Sequence, residues 1–241
     1  TSMNVLRPSI MKKYNLSQFD FSHNYLYFWD IFEKSNLFLE NIIATAKQPM
    51  DDRTVVEYFK APVGDGGVWN LYYNAAEKYG VVPQEVMPET AHSNNTSQMV
   101  SIINERLRQG GYELREMTAA GKKGKELTNA KMATLKEVYR ILALCLGEPP
   151  HQFTWRYKDK DGKLWVSAFD VESFIIDIRD YIVQKYPLPD LRNQLKANPA
   201  INSLCKDEDG IFWFSQDRYG LCIYDSLSLI HISEPTRLQL I

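Results

Sequence analysis

The apolar pattern of the chain changes period once. As far as Leu146 apolar residues recur at the three-and-four spacing of helices, and from Phe153-Thr154-Trp155-Arg156-Tyr157 they alternate, the spacing of a half-buried strand. Helices gathered first and strands gathered last do not interleave into a parallel sheet. The expected class is therefore α+β, a mostly helical body followed by a short β-rich tail. A long helical run starts at Ser22, a predicted N-cap, and carries Tyr25, Leu26, Phe28, Trp29, Phe32, Leu37, Leu39, Ile42 and Ile43 at helical spacing. So aromatic a helix is expected to lie in the core. Further helices are predicted before Lys12-Lys13-Tyr14-Asn15, over Val55 to Phe59, from Met99 with Ile102, Ile103 and Leu107 on one face, and from Leu127 to Leu146. Gly110-Gly111 is expected to interrupt the third of these, at roughly 1 kcal/mol per glycine relative to alanine. Gly147 and Pro149-Pro150 stop the last.

The 241 residues suffice for one large domain or two smaller ones, and a 44% hydrophobic content marks a globular chain. With 28 basic and 30 acidic residues the net charge is −2, which argues against non-specific nucleic-acid or membrane-surface binding. Three scattered cysteines, Cys145, Cys205 and Cys222, form no disulfide framework or zinc spacing, and a reducing, cytoplasmic setting is expected. No signal peptide and no membrane-length apolar run is seen. Thr1-Ser2-Met3-Asn4-Val5-Leu6 enters in mid-pattern, so the chain is expected to be truncated upstream.

Two adjacent glycines in Gly64-Asp65-Gly66-Gly67 precede a helix-like stretch that ends at Gly80, with Pro83 barring continuation. Without a Cβ, Gly66 and Gly67 let another chain approach the backbone closely. Asp65 is a candidate N-cap for the helix that follows. Chemistry is harder to find. A nucleophilic cysteine needs a base held by a third polar group. Cys145 lies on an apolar helix face, and Cys205 and Cys222 lie in strand-like segments. His23, His92 (in a polar loop), His151 and His231 show no partner. No metal-ligand spacing and no cofactor motif is present, and Gly121-Lys122-Lys123-Gly124-Lys125 lacks the spacing of a phosphate loop.

The tail contains a repeat. Lys158-Asp159-Lys160-Asp161-Gly162-Lys163-Leu164-Trp165-Val166-Ser167 recurs as Lys206-Asp207-Glu208-Asp209-Gly210-Ile211-Phe212-Trp213-Phe214-Ser215, an offset of 48 (206 − 158), and Ile175 and Asp177 are echoed by Ile223 and Asp225. An Asp-Gly turn, a strand bearing Trp and a second strand ending in Asp read as a propeller-blade unit, of which two copies cannot close a ring.

Residues 1 to about 162 resemble the bleomycin hydrolase/aminopeptidase C family of papain-like cysteine peptidases. The resemblance is carried by Met11-Lys12-Lys13-Tyr14-Asn15-Leu16, Phe21 to Asp30, Glu33-Lys34-Ser35-Asn36 and Phe38-Leu39-Glu40-Asn41. It continues in Asp65-Gly66-Gly67, Glu77 to Pro83, Met87-Pro88-Glu89, Leu146 to Pro150 and Phe153-Thr154-Trp155. It implies the mostly helical left lobe of a thiol aminopeptidase, acting on peptides, cytoplasmic and typically homohexameric, with no cofactor or metal. It also implies that Gly66 and Gly67 are the pair whose backbone holds extended substrate. The nucleophilic Cys is expected just before Thr1, and the His and Asn far downstream, so that no catalytic residue falls within the chain and the chain as given is inactive. Residues from about Lys158 resemble two repeats of the sensor β-propeller of hybrid two-component regulators, and Leu227 to Arg237 resembles a translated sequencing adaptor. The expected organisation is a truncated peptidase lobe over 1–157, two incomplete propeller-like repeats over 158–225 and an artefactual or disordered tail over 226–241. Asp159 to Lys163 is expected to be the junction, either of two unrelated genes joined in error or of a non-catalytic peptide-binding and sensor fusion.

Overall fold

The computed structural model describes residues 3–67, 69–171, 174, 201–206, 212–216, 220–225 and 228–231. Its elements are α1 (Met3–Lys13), α2 (His23–Ala44), α3 (Arg53–Lys60), α4 (Trp69–Tyr79), α5 (Ala91–Asn94), α6 (Ser97–Ala119), α7 (Lys125–Leu146), β1 (Gln152–Lys158), β2 (Leu164–Asp170), β3 (Ile201–Lys206), β4 (Phe212–Gln216), β5 (Gly220–Asp225) and β6 (Ser228–His231). The chain divides into two compact units: one holds 1–21, 67–81 and 152–241, the other 22–66 and 82–151.

The second unit is helical and built on α2, which packs against both α6 and α7. Ser22 caps α2 as expected, its Oγ accepting from the Tyr25 N–H at 3.0 Å while its hydroxyl donates to the Met87 carbonyl. Tyr25, Leu26, Phe28, Trp29, Leu39 and Ile42 are buried, in keeping with their spacing, and Ile31 and Phe38 join them. Leu37 does not: it is 57% exposed, one position off the buried stripe that Phe38 occupies. The same correction applies to Ile102, 46% exposed, because the stripe of α6 runs through Met99, Ile103, Leu107 and Leu114.

Gly110-Gly111 does not interrupt α6, which is continuous from Ser97 to Ala119. Both glycines are buried, and each marks a close approach. A Cβ on Gly110 would stand 2.6 Å from Thr134 Oγ1 and 2.7 Å from its Cγ2, and one on Gly111 would meet the Phe59 ring at 3.0 Å. Close packing of α7 and α3 at this notch offsets a propensity cost of roughly 2 kcal/mol for the pair.

Helix ends in this unit are satisfied by side chains. The buried Asn24 amide donates to the Leu146 carbonyl at 2.7 Å and to Pro88 O at 2.9 Å, and the Thr90 hydroxyl donates to Cys145 O at 2.9 Å. Two of the orphan carbonyls that close α7 are thus paired from distant segments. Thr90 also caps α5 through a capping box with Ser93, so His92, expected in a loop, lies in a one-turn helix.

The first unit contains α1, α4 and all the described strands. Strands β1 and β2 form an antiparallel hairpin, and β3-β4-β5-β6 form a four-stranded antiparallel sheet in chain order. The alternation that starts at Phe153 holds: Phe153 and Trp155 are buried, and Gln152, Thr154 and Arg156 are exposed. Trp155 meets Tyr14, Phe19 and Phe174 edge-on, and Phe169 packs beside Phe153 and Phe174. The hairpin turn is organised by Asp159, whose Oδ1 accepts from Asp161 N and Lys163 N and whose Oδ2 accepts from Trp165 Nε1 at 2.8 Å. That indole bond above all, with the turn N–H groups, holds the Asp159 carboxyl below its ordinary range. Asn15, at φ 52°, accepts from Lys160 N and donates to Asp161, fastening the turn to the end of α1. Gly80 stops α4 with a φ of 80°, and a Cβ there would stand 2.3 Å from Val171 Cγ1.

The repeat seen in the sequence reappears in the strand register. Lys158 pairs with Leu164 at the end of the first hairpin, and Lys206 pairs with Phe212 between β3 and β4. Both members shift by the same 48 positions (206 − 158 and 212 − 164). Ile175 and Asp177 of the first copy, and the turn of the second, lie outside the described residues.

Gly110→Ala is expected to lower stability by about 1–2 kcal/mol in urea unfolding, because the clash with Thr134 outweighs the helix-propensity gain. Adding Thr134→Ala opens the notch and should recover most of the loss relative to Thr134→Ala alone. An Ala substitution that stabilises the otherwise unchanged chain would refute the close approach.

Candidate functional site

The loop at 64–66 is exposed, yet its path is held from α2 and from the start of α6. Tyr27, Asp30 and Lys34 fall at helical spacing on one edge of α2. Lys34 Nζ donates to Asp30 Oδ2 at 2.5 Å, to the Gly64 carbonyl at 2.9 Å and to the Gly66 carbonyl at 2.6 Å. Asp65 sits between those two carbonyls, and its carboxylate accepts from the Tyr27 hydroxyl at 2.5 Å and from Thr96 Oγ1 at 3.0 Å. Just upstream, Asn104 of α6 bonds both backbone groups of Val63, accepting from its N–H at 2.9 Å and donating to its carbonyl at 3.1 Å.

These bonds revise the reading of Asp65. Helix α4 begins at Trp69, four positions beyond Asp65, and the Asp65 oxygens are engaged by Tyr27 of α2 and by Thr96. Asp65 shapes the loop. Thr96, in turn, precedes α6 without a side-chain capping bond, since its hydroxyl goes to Asp65. Burial first, and then the bond to Asp65, push the Tyr27 phenol up, so that it remains a protonated donor. Burial also raises the Asp30 carboxyl against the opposing pull of Lys34.

Gly66 and Gly67 are both exposed, at the point where the chain passes from one unit to the other. Neither is among the glycines with left-handed φ, and among the described residues nothing would lie within 4 Å of a Cβ on either. Neither local backbone conformation nor internal packing therefore requires glycine at these positions.

The nucleophile candidates are not brought into any comparable arrangement. Cys145 is a free, partly buried thiol on α7, and burial pushes its pKa up, away from the thiolate. Strand register sets Cys222 directly opposite His231, a pairing that sequence spacing did not suggest. Cys205 lies in β3, His23 opens α2, and His151 is exposed before β1. No group of three or more His, Cys, Asp or Glu suited to a metal occurs among the described residues, and no described helix is long and apolar enough to cross a membrane. A shallow groove of about 580 Å³ runs between α6 and α7, lined by Ile102, Leu144 and an Arg106–Glu137 ion pair, but it shares no residue with the glycine loop.

Residues 1–182 match the Peptidase C1-like family, and the chain belongs to that family. The chain is 43% identical over 162 residues to aminopeptidase C of Lactobacillus delbrueckii subsp. lactis, covering 67% of this chain and 36% of the relative. It is 40% identical to bleomycin hydrolase of Rattus norvegicus over 161 residues, 66% of this chain and 35% of the relative. The solved structure of PepW from Lactobacillus rhamnosis superposes with a TM-score of 0.71 at 37% identity, over 74% of this chain and 40% of that one. The chain thus spans about a third of the length of these curated relatives.

Asp30 gives the site a pH signature. Its folded value lies above its unfolded one, so the folded state binds more protons between the two. The stability Asp30 contributes is full below the ordinary aspartate range and is lost as pH rises through the folded value. Relative to Asp30→Asn, the wild type should therefore lose stability as pH climbs from about 3 to about 7. Urea midpoints of the two proteins that stay parallel across this range would show that the carboxyl is not desolvated.

Proposed function

We propose that the chain is the glycine-loop lobe of a cysteine aminopeptidase of the bleomycin hydrolase type, in which Gly66 and Gly67 hold the backbone of an extended peptide. The observation that carries the reading is the pair itself. Its two glycines are explained by no backbone strain and no internal contact, while the loop before them is fastened at Gly64, Asp65 and Gly66. Open backbone on a fixed loop suits strand-like hydrogen bonding to a peptide, which gives affinity without reading side chains. In the whole enzyme a thiolate attacks the carbonyl of the N-terminal residue, and an imidazole protonates the amine of the shortened peptide as it leaves.

None of Cys145, Cys205 and Cys222 is assigned as that nucleophile. The raised Cys145 thiol supports this. A cytoplasmic setting and a homohexameric assembly of the whole enzyme accompany the family resemblance. The 241-residue chain is expected to turn over no leucyl-amide substrate. Hydrolysis that is abolished by thiol alkylation would overturn this part of the proposal.

For residues 158–225 we infer two β-repeats of propeller-blade type. The four-stranded antiparallel order of β3 to β6 and the register shared by the two copies support this. The stretch matched by the peptidase family runs to residue 182 and so includes the first copy. The alternative to an erroneous join is a peptide-binding lobe fused to a β module. Sequencing reads that cross codons 155–165 decide between them. An unbroken gene supports the fusion, and failure to recover one supports the join.

A further inference from the structure

We propose that Lys34 is a positioning residue that aims the peptide unit between Gly66 and Gly67 at substrate. This rests on the reading of the glycine pair as a peptide-binding shelf. An ammonium has three donors and no acceptor, and here three acceptors meet it: Asp30 Oδ2, Gly64 O and Gly66 O. The side chain is only 15% exposed, so its charge is partly desolvated and its bonds to the two carbonyls are stronger than bonds made in open water. Asp30, one helical turn before it, holds the ammonium in place. Tyr27 and Thr96 fix Asp65 between the two carbonyls, so the loop is gripped on three successive residues.

The consequence follows from peptide geometry. In a trans peptide the C=O and the N–H point in opposite directions. With the Gly66 carbonyl turned onto Lys34, the N–H of the same unit, which belongs to Gly67, is turned away from α2 and is left free to donate. The same holds for the Gly64 carbonyl and the Asp65 N–H. A cation on the carbonyl also polarises the unit and makes its N–H a better donor. The ligand this suits is a backbone carbonyl of an extended peptide. Lys34 acts on it only through Gly66, and no side chain is recognised.

The experiment uses the full chain, labelled with ¹⁵N, and trialanine amide as the probe. In Lys34→Met the Gly67 amide signal should move and exchange faster. The dissociation constant for the probe should rise by roughly tenfold, the loss of one charge-assisted hydrogen bond. A general loss of structure would instead move signals throughout α2 and α6. An unmoved Gly67 amide, or unchanged probe affinity in Lys34→Met, overturns the proposal. If the wild type binds no probe, the shelf reading fails, and the grip of Lys34 on the loop is then decided by the Gly67 signal alone. If Lys34→Met does not fold, Asp30→Asn takes its place, since it removes the negative charge that anchors the ammonium and keeps the side-chain volume. It should displace the Gly67 amide in the same sense, and a Gly67 signal left at the wild-type position overturns the proposal equally.

Discussion

Helix α2 has two incompatible tasks, and its sequence separates them by face. One side carries the aromatic and aliphatic residues that pack on α6 and α7, and their burial favours the folded helical unit. The other edge carries Tyr27, Asp30 and Lys34, which hold the loop at 64–66. A shift of α2 in the core would move that edge with it. The shape of an exposed loop is thereby set by the packing of a buried helix. The fastening of the α2 start by Ser22 and Asn24 to Met87, Pro88 and Leu146 serves the same end.

The loop itself shows why a glycine pair can be informative. Gly80, Gly110 and Gly111 each have an internal reason: a left-handed φ against Val171, or a helix notch filled by Thr134 and Phe59. Gly66 and Gly67, like Gly64 in the same loop, have none within the described residues. The family match covers about a third of each full-length relative.

The hairpin illustrates a different economy. One carboxylate, Asp159, takes two turn N–H groups and the Trp165 indole, so the turn and the first residues of β2 are set by a single side chain. The second copy preserves both the Asp and the Trp at the same separation and the same strand register. Local hydrogen bonding of this kind is what makes short repeats recognisable, because it depends on near neighbours alone.

Much of the helical unit is legible in the residue order alone. Helical spacing marks out α2 and α7, Ser22 the cap of α2, Gly147 the stop of α7, and the alternation at Phe153 a strand, because each depends on residues a few positions apart. Contacts over long separations are beyond the reach of spacing. Leu37 and Ile102 look as buried as their neighbours until packing chooses a stripe. Gly110-Gly111 looks like a break until Thr134 fills the notch, 24 positions away in sequence (134 − 110). Asp65 looks like a cap until Tyr27 and Thr96 claim it. The residue types and the family of the chain are written in its sequence. The partners of Asp65 and the direction of the Gly66 carbonyl are decided only when α2, α6 and the loop come together, since a hydrogen bond between distant residues exists only after the core has placed both ends.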